Sequence, residues 1–232
     1  MILIRKAIDR GHRDHGWLQA RHTFSFGDYR DPEQMNFRAL RVINEDTVGP
    51  GAGFAPHAHR DMEIVTYVLE GALAHQDSTG GGGIIRPGDV QYMCAGSGVT
   101  HSEYNASKTD PVHLLQIWIL PDKTGYAPNY AQKTFGDERR RRLALVASGE
   151  GRDGSLKINQ STDIYAGLFS EGEAIQHRFR KGRFGFLQLA KGGLEIGGLV
   201  MQAGDGAKIS EEEVLPLKAL APDTEFLLFD LN

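Results

Sequence analysis

Cysteine is almost absent from this sequence of 232 residues, in which Cys94 is the single example. One cysteine excludes an internal disulfide and is typical of a reducing compartment, so we expect a cytoplasmic protein. Cys94 falls close to the candidate site described below and could serve there as a redox sensor. Because unpaired cysteine is among the most buried residue types, we interpret it as packing in the core.

Long apolar runs are also missing from the sequence. No stretch reaches the roughly 20 apolar residues that a membrane-spanning helix needs. The apolar run that follows Met1 is too short for a signal peptide. The sequence therefore predicts neither a membrane protein nor a secreted one.

Positive charge is not in excess. Lys and Arg number 26 against 30 Asp and Glu, which gives a formal net charge of −4. Proteins that bind nucleic acid or anionic membranes display a basic surface, so this balance argues against both partners. The basic run at residues 139–142 has acidic neighbours, and we interpret it as part of a solvated linker over residues 121–142.

Glycine, in contrast, is abundant: 29 Gly occur beside 9 Pro, and strand-length apolar runs lie between them. Residues 40–44 alternate apolar and polar side chains, as a half-buried strand does. Residues 66–73 have a parallel in residues 187–194, and the turn at 87–89 has one at 203–205. The pattern predicts an all-β protein made of two antiparallel β-sandwich barrels.

Two pairs of polar side chains have the spacing of one strand face. His57 and His59 are two residues apart, as are His101 and Glu103, and side chains two apart in a strand point to the same side. If the two strands are neighbours, three imidazoles and one carboxylate converge. This donor set favours a divalent transition metal, and an octahedral ion keeps two positions for water or substrate. The spacing therefore predicts a working metal site.

Other histidines and aromatic residues lack this paired spacing. His75 and His113 fall within predicted strands, where we expect core packing or hydrogen bonding. In the N-terminal segment, Trp17, Phe24 and Phe26 could line a substrate entrance. We favour the alternative that these rings pack the segment onto the barrel.

The sequence around the two pairs resembles the cupin motifs. The first motif has one extra residue before its closing glycine and is matched by Gly51, His57, His59, Glu63 and Gly71. The second motif is matched by Gly88, Cys94, Gly96, His101 and Asn105. It has cysteine in place of the usual proline and two residues added before its histidine. These departures, together with residues 15–18, 22–26 and 87–91, resemble the pirin branch of the cupins.

The resemblance implies an all-β bicupin of jelly-roll type, with a metal-binding N-terminal cupin domain at residues 1–130. A degenerate C-terminal cupin domain would occupy residues 131–232. The motifs are specific over residues 2–125 and weaker beyond. After His113 the only histidine is His177, so the second barrel has kept the turns and lost the ligands. We therefore expect one metal ion, bound in the first barrel.

Spacing does not decide the identity of the carboxylate ligand. Glu63 follows His59 by four residues, where many cupins take their carboxylate, and by strand parity it faces the same side. Resemblance to pirins points instead to Glu103, so the implied ligands are His57, His59, His101 and Glu103. Glu63 then becomes a candidate to hold a ligand imidazole by its free N–H.

Pirins include enzymes with quercetin 2,3-dioxygenase activity, and the resemblance implies that function here. The metal would be Fe(II), with Ni, Mn, Co, Cu and Zn as alternatives. The partners would be a small aromatic substrate and dioxygen. Glu103 would accept the proton of the flavonol 3-hydroxyl, after which the ring is cleaved and carbon monoxide released. The substrate-binding residues stay unassigned.

Other interpretations stay open. Some pirins act as metal-dependent partners of a transcription factor or a metabolic enzyme without turnover. A cupin isomerase or a simple metal-binding module would have the same ligand spacing. A protein partner is compatible with the charge of the chain, whereas direct contact with nucleic acid is not, and we expect a monomer.

Overall fold

The computed structural model describes residues 1–232 as two compact units. The N-terminal unit comprises Gly11–Gly136 and Ile158–Gln160. The C-terminal unit comprises Met1–Arg10, Asp137–Lys157 and Ser161–Asn232. Each unit contains one seven-stranded and one four-stranded sheet, which form an open sandwich rather than a closed barrel. The predicted all-β fold of two repeated units is confirmed.

Eleven strands build the N-terminal unit, and one earlier strand belongs to the other unit. Numbered along the chain, these twelve are β1 (Ile2–Arg5), β2 (Gly11–Asp14), β3 (Leu18–His22), β4 (Leu40–Val48), β5 (Gly53–His59), β6 (Glu63–Glu70), β7 (Leu73–Asp77), β8 (Gly82–Ile85), β9 (Asp89–Cys94), β10 (Val99–Asn105), β11 (Val112–Ile119) and β12 (Asn129–Thr134). The seven-stranded sheet has the order β12-β9-β6-β11-β4-β3-β2 and the four-stranded sheet the order β5-β10-β7-β8.

Side-chain alternation directs the polar residues of β10 inward. His101 and Glu103 are buried, whereas Thr100 before them and Tyr104 after them are exposed. The strand therefore has one face inside the sandwich and one toward solvent. Apolar residues of both sheets fill the space beside this face: Leu18, Ala20, Val48, Val68, Leu73, Ile85, Val112 and Leu114. Full burial of each large apolar side chain stabilises the fold by about 1.5–3 kcal/mol.

The C-terminal unit repeats this arrangement. Its further strands are β13 (Leu143–Ser148), β14 (Leu156–Lys157), β15 (Asp163–Phe169), β16 (Ala174–Arg178), β17 (Phe184–Lys191), β18 (Gly193–Ile196), β19 (Leu199–Gln202), β20 (Gly206–Ile209), β21 (Val214–Ala219) and β22 (Thr224–Leu231). The sheets have the orders β1-β20-β17-β22-β15-β13-β14 and β16-β21-β18-β19. Helical structure is limited to three short 3-10 helices at Ala7–Asp9, Gly136–Arg139 and Arg152–Gly154. The chain has no helix with the length and apolar character of a membrane span.

The structure differs from the predicted domain ranges, 1–130 and 131–232, at several segments. Strand β1 pairs with β20, so the first ten residues belong to the C-terminal unit. Within the predicted linker, β12 pairs with β9 and extends the seven-stranded sheet of the N-terminal unit. Arg139 of the basic run is buried, and its guanidinium donates to Glu225. These segments have partners far away in the sequence, which local composition does not reveal.

Candidate metal centre

The three predicted imidazoles meet between β5 and β10. These strands pair antiparallel, with His57 directly opposite His101 and His59 opposite Val99. The ring centroids are 4.4 Å apart for His57 and His101, 4.8 Å for His57 and His59, and 4.9 Å for His59 and His101. One nitrogen of each ring lies within 4.8 Å of the other two. The strand pairing therefore brings three nitrogens within reach of one ion.

A β-bulge in β5 lies next to these ligands. Between His57 and Phe54, β5 has two residues where β10 has only Ser102, so the register shifts by one. The extra residue makes Phe54 the cross-strand partner of Glu103. Pro56 lies within the bulge and is tolerated there because β5 is an edge strand.

Gly53 allows β5 to approach β10 closely beside the bulge. A Cβ atom at this position would lie 2.2 Å from the main-chain oxygen of Glu103 and 2.6 Å from Cα of Tyr104. Any other residue would push β5 away from the strand that carries His101. Glycine at this position thus preserves the distance between the two ligand-bearing strands.

The hydrogen bonds of the rings leave nitrogens for a metal. Nδ1–H of His57 donates to the main-chain oxygen of Ala55 at 2.8 Å, which leaves Nε2 with a lone pair. Nε2 of His101 is buried and has no hydrogen-bond partner in the protein. Because a buried polar atom without a partner is costly, a cation among the three rings would satisfy it. The donor set therefore fits one divalent transition metal.

His59 and His101 are neutral at physiological pH. Burial lowers the pKa of His59 to about 4, and the neighbouring His57 adds to this effect while Glu103 opposes it. Burial also lowers the pKa of His101 to about 4, although the charge of Glu103 opposes the shift. Neutral imidazole is the form that binds metals, so these two side chains could bind an ion without losing a proton.

Glu103 lies beside the imidazoles and is held by an amide. It is 3% exposed, and Nε2 of Gln116 donates to its two oxygens at 3.1 and 2.9 Å. Burial opposes ionisation, but the imidazole of His75, the nearby His101 and the amide of Gln116 outweigh it and hold the pKa of the carboxyl below its usual value. Glu103 forms a second cluster of potential ligands with His75 and His101, and this cluster shares His101 with the first.

His75 and His113 have the hydrogen-bonding roles predicted for them. Nε2 of His75 lies 3.3 Å from Oδ2 of Asp77, and its Nδ1 lies 3.5 Å from Nδ1 of His101. Nε2 of His113 lies 3.0 Å from Oε1 of Glu45. His75 thus contacts His101 at Nδ1 of the His101 ring.

Glu63 does not contact a ligand imidazole, in contrast to the prediction. Its buried carboxylate accepts hydrogen bonds from Oη of Tyr92 at 2.6 Å and from the main-chain N–H of Asn159 at 2.6 Å. The turn after β5 transfers the chain to the other sheet, so strand parity no longer applies. Thr66 is three positions after Glu63 in β6, and its hydroxyl faces Gln116 of the site. Glu63 therefore projects from the opposite face of β6.

A cavity of about 580 Å³ adjoins the imidazoles. Its polar lining comes from His22, Asn44, Asp46, His57, His59, Glu103 and Gln116. Aromatic rings supply most of the remaining wall, namely Trp17, Phe26, Phe54 and Trp118. The size and the mixture of apolar walls with few polar groups are those of a small-molecule site.

The aromatic rings of the cavity are packed edge to face. Trp118 contacts His59 with ring centroids 4.9 Å apart and Phe26 with centroids 5.2 Å apart. Trp17 contacts Phe54 at 5.3 Å. The sequence analysis favoured a packing role for Trp17 and Phe26, and the structure shows that both also line the cavity. Phe24 is fully buried, as expected of a packing residue.

Known relatives cover the whole chain. Residues 4–119 match the Pirin family model, and residues 145–231 match the model of the quercetinase C-terminal cupin domain. The chain belongs to the pirin family. A quercetin 2,3-dioxygenase of Escherichia coli strain K12 is 46% identical over 231 residues, which cover 100% of this chain and 99% of that protein. A pirin-like protein of Caulobacter vibrioides is 44% identical, with 99% of each chain covered.

Solved pirin structures have the same fold. The structure of bacterial pirin YhhW from Escherichia coli in complex with nickel(II) is 45% identical to this pirin, with a TM-score of 0.94, 100% of this chain covered and 99% of that one. A further structure of YhhW has a TM-score of 0.95. This pirin is therefore the bicupin that the sequence predicted.

The second cupin unit of this pirin has no matching cluster. Its one histidine, His177, is 7% exposed and lies 3.0 Å from Asp230, which also accepts a hydrogen bond from Arg183. Neither cluster of potential metal ligands in the protein lies in this unit. Both clusters of potential ligands thus lie in the N-terminal unit.

The sequence analysis missed a row of polar side chains across the seven-stranded sheet. Successive cross-strand partners in this row are His22, Asn44, Gln116, Thr66 and Gln91. Gln116 stands in the apolar part of β11 that follows His113, between the buried residues Leu115 and Ile117. A lone amide in such a strand is the signal that could have identified it, because amides are seldom buried without a partner.

Proposed function

We propose that this pirin is a metal-dependent dioxygenase of flavonol-type aromatic substrates such as quercetin. The observation that carries the proposal is a cluster of three imidazoles, two of which, His57 and His59, line an aromatic-walled cavity of about 580 Å³. Such a cavity can enclose most of a small aromatic molecule next to the ligands. The relative that is 46% identical bears the name quercetin 2,3-dioxygenase, which supports the same substrate class.

His57, His59, His101 and Glu103 would hold the ion, for which we propose Fe(II). Imidazole and carboxylate ligands suit iron and also nickel, the ion named for the Escherichia coli pirin complex. When bound, the ion would supply a Lewis acid that lowers the pKa of the flavonol 3-hydroxyl and prepares the ring for reaction with dioxygen.

The aromatic wall binds and orients the substrate. The rings of Trp17, Phe54, Phe26 and Trp118 offer apolar surface to a planar flavonol and exclude water from it. Trp118 is fixed between His59 and Phe26, so it can keep the substrate ring in one orientation beside the ligands. Orientation of this kind lowers the entropy loss that the reaction would otherwise carry.

Glu103 accepts the proton of the 3-hydroxyl. Its lowered pKa keeps it a carboxylate at neutral pH, and it lines the cavity next to His57 and His59. A proton acceptor within the cavity lets the flavonol bind as its anion, the electron-rich form that reacts with dioxygen. Cleavage of the ring then releases carbon monoxide.

The test is aerobic turnover of quercetin by iron-, nickel- and manganese-loaded protein. We expect loss of the flavonol absorbance together with release of carbon monoxide. Glu103→Gln should lower turnover by about 100-fold or more, because general-base catalysis commonly contributes that much.

His101→Ala serves as the control that lacks a ligand, and His113→Gln as a control for loss of a histidine outside the cluster. Turnover should disappear in the first variant and persist in the second. If no metal gives loss of quercetin above the His101→Ala background, the dioxygenase proposal fails for this substrate class. A metal-dependent regulatory partner would then be the better description.

A further inference from the structure

Gln116 projects from β11 between Thr66 and Glu103. Its Nε2 donates to the two oxygens of Glu103 at 3.1 and 2.9 Å, and its Oε1 accepts from Oγ1 of Thr66 at 2.7 Å. The strand register places Gln116 directly opposite Thr66 of β6. The three side chains therefore form one chain of hydrogen bonds that ends on the carboxylate of the metal centre.

Glu103 decides which end of the amide faces it, and Thr66 holds the other end. A carboxylate only accepts hydrogen bonds, so it requires the NH2 end of Gln116. A hydroxyl can donate or accept, and the Thr66 hydroxyl here donates to the remaining oxygen end of the amide. The amide is therefore held at both ends.

Glu103 depends on this amide because it is buried. The carboxylate is 3% exposed, and a buried charge without hydrogen bonds is strongly unfavourable. The nearest nitrogen of His75 lies 3.9 Å from Oε1, which is beyond hydrogen-bond distance. Both side-chain hydrogen bonds of Glu103 in the structure thus come from Gln116.

We propose that Gln116, fixed by Thr66, is a positioning residue that sets the Glu103 carboxylate for metal binding. The inference rests on the metal centre of the proposed function and not on the identity of its substrate. Gln116 acts through Glu103, since its NH2 group donates to the Glu103 carboxylate and its oxygen accepts from Thr66. Loss of a hydrogen-bond partner of a metal ligand typically lowers metal affinity by about 10- to 100-fold.

The test measures the Ni(II) affinity of the purified full-length protein by competition with a chromophoric chelator. Gln116→Leu keeps most of the side-chain volume and removes the amide, so we expect affinity to fall by about 10- to 100-fold. In a Glu103→Gln background the same substitution should change affinity by less than about 2-fold, because the residue through which Gln116 acts is already altered.

Thr66→Val provides an independent test with an isosteric side chain. It removes the hydroxyl that donates to the amide oxygen and holds the amide in place, so we expect a smaller loss of Ni(II) affinity in the same direction. Adding Thr66→Val to Gln116→Leu should have no further effect. The visible absorption of the Co(II)-loaded protein should shift in both single variants, because both alter how Glu103 approaches the ion.

Gln188→Leu is the matched control, since Gln188 is a fully buried glutamine of the C-terminal unit that donates to the main-chain oxygens of Gly204 and Asp205. It should leave Ni(II) affinity unchanged. Wild-type affinity and an unchanged Co(II) spectrum in folded Gln116→Leu or Thr66→Val protein would overturn the proposal, as would an undiminished effect of Gln116→Leu in the Glu103→Gln background. Quercetin is absent from this test, so its result and that of the turnover assay are independent.

Discussion

At the level of single residues, two buried glutamates differ in their hydrogen-bond partners, and this difference gives one a structural role and leaves the other available for chemistry. Glu103 lines the cavity and receives one amide group, so its carboxylate stays available to a metal or a substrate proton. Glu63 is 0% exposed and accepts from Tyr92 and from both the main chain and the side chain of Asn159. Its hydrogen-bonding capacity is used within the fold.

Replacement of Glu63 should therefore affect stability and spare the metal. Glu63→Ala leaves the donors of Tyr92 and Asn159 buried without an acceptor, and we expect the free energy of unfolding to fall by about 3 kcal/mol or more. Bound metal should stay close to the wild-type level. Denaturant unfolding and elemental analysis measure the two quantities.

Glu63→Gln keeps the size and one acceptor oxygen, so it should destabilise the protein less than Glu63→Ala. Loss of metal from a Glu63→Ala protein of unchanged stability would restore Glu63 to the metal centre and contradict its structural role.

Cys94 is a second residue whose surroundings decide its chemistry. It is 1% exposed, as expected of a packing residue, and burial together with the neighbouring Glu63 raises the pKa of its thiol to about 11. The thiolate is the reactive form, so at pH 8 we expect almost no reaction of the native protein with a thiol reagent such as dithiobisnitrobenzoate. Full reaction should follow in denaturant.

The same shift in the pKa of Cys94 affects stability at alkaline pH. Because the thiol holds its proton more tightly in the folded state, its contribution is present below about pH 9 and is lost as the pH rises to about 11. Cys94→Ala should remove this part of the pH dependence of unfolding. Rapid modification of the native protein at pH 7 would instead favour the redox-sensor interpretation.

At the level of strands, the close approach of His57, His59 and His101 could be predicted from the sequence, and the residues that support them could not. The pairs at His57 and His59 and at His101 and Glu103 share faces because of the geometry of a single strand, which sequence spacing records directly. Parity failed for Glu63 because the turn after His59 moves the chain into the other sheet. A spacing rule holds only as far as one strand continues.

Pairing between distant strands was also outside the reach of local patterns. The contact of Gln116 with Thr66 depends on the register of β11 against β6, and the assignment of β1 depends on its pairing with β20. The alternation of apolar and polar residues along a strand does not indicate which other strand pairs with it. The repeat of turns and apolar runs predicted the two β units, but not which residues meet across them.

At the level of the whole molecule, the two similar cupin units differ in their buried polar side chains. The N-terminal unit gathers imidazoles at a cavity, whereas the C-terminal unit uses its buried carboxylates in hydrogen bonds within the fold. Arg152 donates to Asp163 through two hydrogen bonds of 2.7 and 2.6 Å, and His177 lies 3.0 Å from Asp230. Buried carboxylates that already have partners have little left to offer a cation.

The protein should therefore bind one divalent ion per chain. Elemental analysis of nickel-loaded wild-type protein should give one equivalent, and His57→Ala, His59→Ala or His101→Ala should each remove most of it, because each deletes a ligand. His177→Ala should keep the full equivalent. Two equivalents in the wild type, or loss of metal from His177→Ala, would place an ion in the C-terminal unit.

Strand β5 carries His57 and His59 at the edge of the four-stranded sheet, with β10 as its only neighbour in that sheet. Edge strands have one row of main-chain hydrogen bonds and open locally more readily than central strands. An ion bound by residues of both β5 and β10 would link the two strands across this single row of hydrogen bonds. The ion would then leave only when β5 separates from β10. The rate of metal release and the rate of amide hydrogen exchange in residues 53–59 should therefore be set by the same local opening.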